Sequence, residues 1–135
     1  MKFDSFKISK GIVKAKPRHE ESSIQRTCVM WFRYQWPGYI CFAVPNGGAR
    51  SKTEACIMKG EGVMAGVSDL IVVGEGRVLF VEMKTMKGKQ SATQKDFQRR
   101  VEGLGHKYVV CRCLNDFISE VNGFLKGEKG AHEQD

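Results

Sequence analysis

No apolar run in the sequence approaches the ~18 residues of a membrane span, and the first ten residues, MKFDSFKISK, lack the apolar core of a secretory signal. These absences set aside an integral membrane protein and export by the usual route. Cysteine is too irregular for a disulfide framework: Cys28, Cys41, Cys56, Cys111 and Cys113 make an odd, scattered set of five, so reduced thiols are expected. Cys111 and Cys113 have no partner CxxC or histidine pair at zinc spacing and read as core thiols. Acid is scarce, with 15 Asp+Glu against 22 Lys+Arg and a net charge of +7 at pH 7. That sign favours a polyanionic partner but says nothing of chemistry. What is present is ordinary: 135 residues, 41% hydrophobic and 27% charged, enough for one domain with a real core. Whole-chain disorder and coiled coil are excluded.

The charge is unevenly distributed. Residues 1–18 hold Lys2, Lys7, Lys10, Lys14, Lys16 and Arg18 against Asp4, and read as a basic arm that is partly mobile when free. Residues 19–126 carry the apolar patterning of a folded domain, and 127–135 read as a polar, frayed tail. Within the domain, Ile24, Cys28, Trp31 and Phe32 form a helical stripe over 21–35, ended by Trp36-Pro37-Gly38. A dense apolar strand over 39–44 stops at Pro45-Asn46-Gly47-Gly48. A short helix over 52–59 precedes a connection holding Gly60, Gly62 and Gly66. Those glycines are no dinucleotide fingerprint, since no strand precedes them and no helix follows. Leu70–Val73 and Val78–Val81 flank Gly74-Glu75-Gly76-Arg77, a hairpin signature. Ser91-x-x-Gln94 has capping-box form, Phe97, Val101 and Leu104 follow at helical spacing, and Gly105 closes the helix. Tyr108–Cys111 is a further strand, and Asn115 is expected to cap a last helix whose Ile118, Val121 and Leu125 face inward. The order α-β-α-β-β-α-β-α predicts a single α/β layer structure.

The hairpin carries the chemistry. If Glu75 and Gly76 form a two-residue turn, paired positions sum to a constant and Asp69 lies directly opposite Glu82. Strand alternation puts Lys84 on the same face as Glu82, and Met83 on the other. Like charges at opposed positions are destabilising, so two acids ending apolar strands need a compensating cation. A hard divalent ion suits such oxygen ligands. A loop longer by one residue would turn Glu82 away from Asp69. Taken alone, Glu82-x-Lys84 is a weak signal and reads equally as an exposed ion pair worth ~0–1 kcal/mol; the apolar setting and the second acid set it apart.

Asp69, a hairpin, then Glu82-x-Lys84 in an α-β-β-β-α-β core resembles the PD-(D/E)xK nuclease superfamily. Further pieces resemble its VRR-NUC (virus-type replication-repair nuclease) family: Glu21-x-x-Ile24-Gln25, Pro45-Asn46-Gly47-Gly48, Gly62…Gly66-Val67-x-Asp69-Leu70, and Gln94 after the Glu-x-Lys strand. The likeness covers roughly residues 19 to 120 and departs at Ser68, where the superfamily name puts proline. It implies a restriction-endonuclease-like core with a mixed central sheet flanked by helices. It also implies Mg²⁺ or Mn²⁺ held by Asp69, Glu82 and the backbone carbonyl of Met83, with Lys84 orienting a water or neutralising the transition state. Glu21, Gln25 and Gln94 would join the site edge. The residues alone equally allow Glu21 and Gln25 as a solvated first turn, and Gln94 as the closing member of the capping box.

Lys87, Lys89, Lys95, Arg99 and Arg100 crowd the stretch after Lys84 against only Asp96, a pattern for holding phosphates without reading sequence. Arg50 and Lys52 would extend that track. The likeness implies a structure-specific DNA endonuclease working on branched DNA as a homodimer, a four-way junction resolvase first. A 5′-flap or replication-fork nuclease is the alternative, and a non-catalytic basic binding module the rival from another class. A cytoplasmic location in a bacterium or phage-infected host follows from the same likeness.

Overall fold

The computed structural model describes residues 17–45 and 51–133. Their elements are α1 (Pro17–Gln35), β1 (Ile40–Ala43), α2 (Lys52–Gly60), β2 (Leu70–Val73), β3 (Val78–Met83), α3 (Ala92–Gly103), β4 (Lys107–Cys111) and α4 (Leu114–Glu133). The expected order of helices and strands is therefore the one found.

The departures lie at the ends. Residues 1–16 of the basic arm fall outside the described residues, but Pro17 and Arg18 belong to α1. Proline suits a first helical turn, where its missing N–H would have had no partner. The last helix starts at Leu114, ahead of the expected Asn115 cap. The Asp116 carboxylate reaches back to accept the backbone N–H of Arg112 at 2.9 Å, and this bond sets the start. The same helix continues to Glu133, through most of the stretch read as a frayed tail. That stretch holds no proline, and a glycine weakens a helix by only ~1 kcal/mol.

The sheet order is β1-β2-β3-β4. The first three strands are antiparallel, and α3 supplies the crossover that returns β4 parallel to β3. Side chains alternate between two faces. One face presents Leu70, Val72, Leu79, Val81, Met83 and Cys111 to Cys28, Trp31 and Phe32 of α1 and to Phe117, Val121, Phe124 and Leu125 of α4, forming the main core. Trp31 meets Phe117 edge-on at 5.9 Å, and the Trp36 indole donates to Asn122 Oδ1 at 3.0 Å, so both tryptophans tie α1 and its exit to α4. The other face carries Phe80, Tyr108 and Val110 under Phe97 and Val101 of α3. Since α3 covers only β3 and β4, Ile40, Phe42 and Val73 on the β1–β2 half of this face are exposed. Helix α2 buries none of its residues.

Candidate active site at the end of the hairpin

Gly74 N–H donates to Arg77 C=O at 3.0 Å, which closes a two-residue turn. The register then runs from Val73 opposite Val78 to Leu70 opposite Val81. Carried one step further, it sets Asp69 opposite Glu82, as the turn arithmetic requires. This pair falls at a non-hydrogen-bonded position, where side chains approach most closely. The one-residue slip is excluded.

Each acid is held by the surrounding chain. Asp69 Oδ2 accepts the backbone N–H of Met83 at 2.8 Å. Within a strand the N–H and C=O of one residue leave the same edge, so the Met83 carbonyl shares the Asp69 side. Glu82 is 3% exposed. Its Oε1 accepts Gln94 Nε2 at 3.1 Å and lies 4.0 Å from Lys84 Nζ. Its Oε2 is buried without a hydrogen-bond partner. Ser68 is buried and donates its hydroxyl to Leu70 C=O at 3.1 Å, so it shapes the approach to β2 where proline would otherwise do so.

Gln94 both closes the capping box and reaches Glu82. Its Oε1 accepts Ser91 N–H at 2.8 Å while its own N–H donates to Ser91 Oγ at 3.2 Å, completing the capping box. With the amide oxygen engaged there, the NH₂ group is left to face Glu82. Helix capping thereby fixes which way this amide points.

Burial, then the nearby Asp69 carboxylate, push the Glu82 carboxyl from 4.5 up to about 9, with Lys84 opposing the rise and Glu21 adding to it. Glu21 on α1 thus acts electrostatically on the pair. No hydrogen bond joins Gln25, one turn further on, to the acids among the described residues. Among the described residues no three His, Cys, Asp or Glu side chains converge on one point. Two carboxylates, one of them with an orphaned buried oxygen, and one backbone carbonyl nonetheless fit a hard divalent ion that completes its shell with solvent or phosphate oxygens.

A pH dependence follows. In the metal-free fold Glu82 retains a proton that the unfolded chain releases near 4.5, so the native state binds more protons between that value and about 9. Its contribution to stability is full below 4.5 and is lost as pH rises towards 9. Thermal unfolding in chelator should show Glu82→Gln gaining on the wild type as pH rises from about 5.5 to about 8.5. Mn²⁺ should raise the wild-type Tm most at the upper end. A Tm difference independent of pH would contradict this account.

Of the basic residues, Lys87 and Lys89 are exposed on the segment after β3, and Lys95 and Arg99 share an exposed side of α3. Arg99 is paired with Asp96, the one acid of that stretch. Lys52 is exposed at the start of α2, and Arg50 lies outside the described residues. Two residues escaped sequence reasoning. Tyr108 read as strand core, yet its hydroxyl is buried without a hydrogen-bond partner. Burial chiefly pushes it up to about 12, with the neighbouring Gln90 amide opposing and Glu82 and Asp69 adding to the rise. A tyrosine within an otherwise aliphatic strand was the available signal, because a buried hydroxyl calls for a partner. Arg112 donates to Thr85 C=O at 2.6 Å and Gly88 C=O at 2.7 Å, and nothing in the sequence announces it.

An acid pair at a hairpin end, a lysine on the same face and a helix-borne amide on the second acid form the arrangement that the sequence likeness to the PD-(D/E)xK nucleases implies. Within that class the chain belongs to the VRR-NUC domain family, which matches residues 19–114. A solved structure described as a VRR_NUC domain protein has the same fold, with a TM-score of 0.67, 23% identity, and coverage of 84% of this chain and 92% of that one. No curated protein matches the chain by sequence. Among the described residues no helix is long and apolar enough to cross a membrane.

Proposed function

We propose that this nuclease is a Mg²⁺- or Mn²⁺-dependent, structure-specific DNA endonuclease whose preferred substrate is a four-way junction. The observation that carries the hydrolytic reading is the opposed pair of half-buried Asp69 and buried Glu82 with the Lys84 ammonium 4.0 Å from Glu82. Asp69, Glu82 and the Met83 carbonyl would hold the ion, which when bound supplies positive charge at the scissile phosphate and acidifies water. Lys84 orients the attacking water or offsets charge on the phosphorus. Gln94 fixes the Glu82 carboxylate through its amide, and Glu21 and Gln25 line the edge from α1. Lys87, Lys89, Lys95 and Arg99, with Lys52 and Arg50, hold backbone phosphates, which makes binding steeply salt-dependent.

A homodimer belongs to the same reading. A two-fold dimer offers two equivalent sites to a two-fold junction. The exposed Ile40, Phe42 and Val73 supply an apolar surface for a second copy. Phe42→Asp should shift the sedimenting species from dimer to monomer and replace paired nicks by single ones. The deciding experiment compares labelled four-way junctions, 5′-flaps and linear duplex in Mn²⁺. Symmetric paired nicks on the junction are expected. Efficient flap cutting without them would overturn the junction assignment in favour of a flap nuclease, an intracellular DNA-processing enzyme in either case.

A further inference from the structure

We propose that Arg112 and Gly88 form a clamp that aims the Lys84 ammonium at the acid pair, making Arg112 a positioning residue for the reaction. The proposal rests on the reading of Lys84 as an active-site group. A lysine side chain has four rotatable bonds and loses much of its rotamer entropy when held in one direction. Lys84 nevertheless keeps only 15% of its side chain exposed, with its ammonium near Glu82. Something must wall in its stem.

Gly88 provides the wall. A Cβ on Gly88 would meet Lys84 Cδ at 3.3 Å and Thr85 Oγ1 at 3.3 Å, so the bare glycine backbone lies directly against the lysine stem. Gly88 is brought back to that point by a tight turn, in which its N–H donates to Thr85 C=O at 3.1 Å. One such bond is weak for a turn that leads away from the sheet. Arg112 reinforces it from the far end of β4: one guanidinium nitrogen donates to the carbonyls of both residues, Thr85 and Gly88, that frame the turn. Charge-assisted bonds of this kind are about twice as strong as neutral ones.

Arg112 is itself anchored. Its backbone N–H donates to Asp116 at 2.9 Å, and Lys84 N–H donates to Cys111 C=O at 3.0 Å, so the β3 end and the β4 exit are tied together just before the turn. The path from Arg112 to the reaction therefore runs through two carbonyls, one glycine and the lysine stem. It needs no contact between Arg112 and DNA.

The test uses the full chain and four variants, Arg112→Gln, Arg112→Lys, Gly88→Ala and Lys84→Ala, with single-turnover cleavage at saturating four-way junction in Mn²⁺ and junction affinity in chelator. Acetylation of Lys84 by N-hydroxysuccinimide acetate, read by mass spectrometry against exposed Lys59, gives a measure independent of activity. Arg112→Gln and Gly88→Ala should each lower the saturating rate about tenfold and make Lys84 several-fold more reactive, with Arg112→Lys restoring part of both. Unchanged Lys84 reactivity in Arg112→Gln and Gly88→Ala overturns the clamp. So does a loss confined to affinity, which would mean that the turn serves only the Lys87 and Lys89 phosphate contacts. If Lys84→Ala cleaves like the wild type, the catalytic reading of Lys84 fails and with it the role of Arg112 in the reaction, while the acetylation rates still report whether the clamp holds the stem.

Discussion

Asp69→Ala is expected to lower junction cleavage by about 10³-fold or more while junction binding in chelator stays at least as tight as in the wild type. The magnitude follows from losing a carboxylate that would hold the divalent ion, and with it positive charge set against the developing charge of a hydrolytic transition state, where single preorganised contacts are worth about 10²–10³-fold. Asp69 does more than offer oxygens. Its Oδ2 also holds Met83 N–H, so alanine loosens the strand edge that presents the Met83 carbonyl. Binding survives because the exposed lysines after β3 and on α3 are untouched, and deleting a negative charge beside them only favours a polyanion. Lys84→Ala should give a comparable loss of rate without changing the Mn²⁺-dependent rise in Tm, since lysine is no ligand. Asp69→Ala should abolish that rise. Cleavage by Asp69→Ala at the wild-type rate would reduce the protein to a basic binding module.

Gly66→Ala should destabilise the fold by more than about 3 kcal/mol and abolish cleavage in whatever protein remains folded. Two independent costs meet there. Gly66 has φ +88°, where an L side chain is strained by roughly 1–2 kcal/mol. An added Cβ would stand 2.3 Å from Thr93 C=O oxygen and 3.0 Å from Gln94 N, both rigid backbone at the start of α3. The helix would have to retreat, taking with it the Ser91–Gln94 capping box and the amide that holds Glu82. The same substitution at Gly60, where a Cβ would meet nothing, is the control and should leave Tm and cleavage near wild type. A folded, active Gly66→Ala protein would show that the α3 start is not braced against the segment leading to Asp69.

How much of this was legible in advance depends on whether the deciding interactions were local. Hairpin register is local. A two-residue turn between alternating apolar runs admits one pairing, and from it the opposition of Asp69 and Glu82 and the shared face of Lys84 follow without coordinates. The capping box at Ser91 is likewise written in four consecutive residues. Gln94 was legible only in halves. Its bond to Ser91 comes from spacing, but its bond to Glu82 needs the crossover that lays α3 over β3. Helix ends were read less well, because Asp116 reaching back to Arg112 competes with Asn115 on equal local terms.

By itself, then, the sequence determined the order of elements, the hairpin that opposes two acids and the basic track beyond it, because turn chemistry and strand alternation act over a few residues. Only the tertiary structure decided that Glu82 is buried with an oxygen left unpaired, that Tyr108 keeps its hydroxyl without a partner, and that Arg112 pins the turn against Lys84. Each of those depends on burial or on contact between residues distant in the chain. The free energy of such contacts comes from desolvation and packing, which no local pattern of residues encodes.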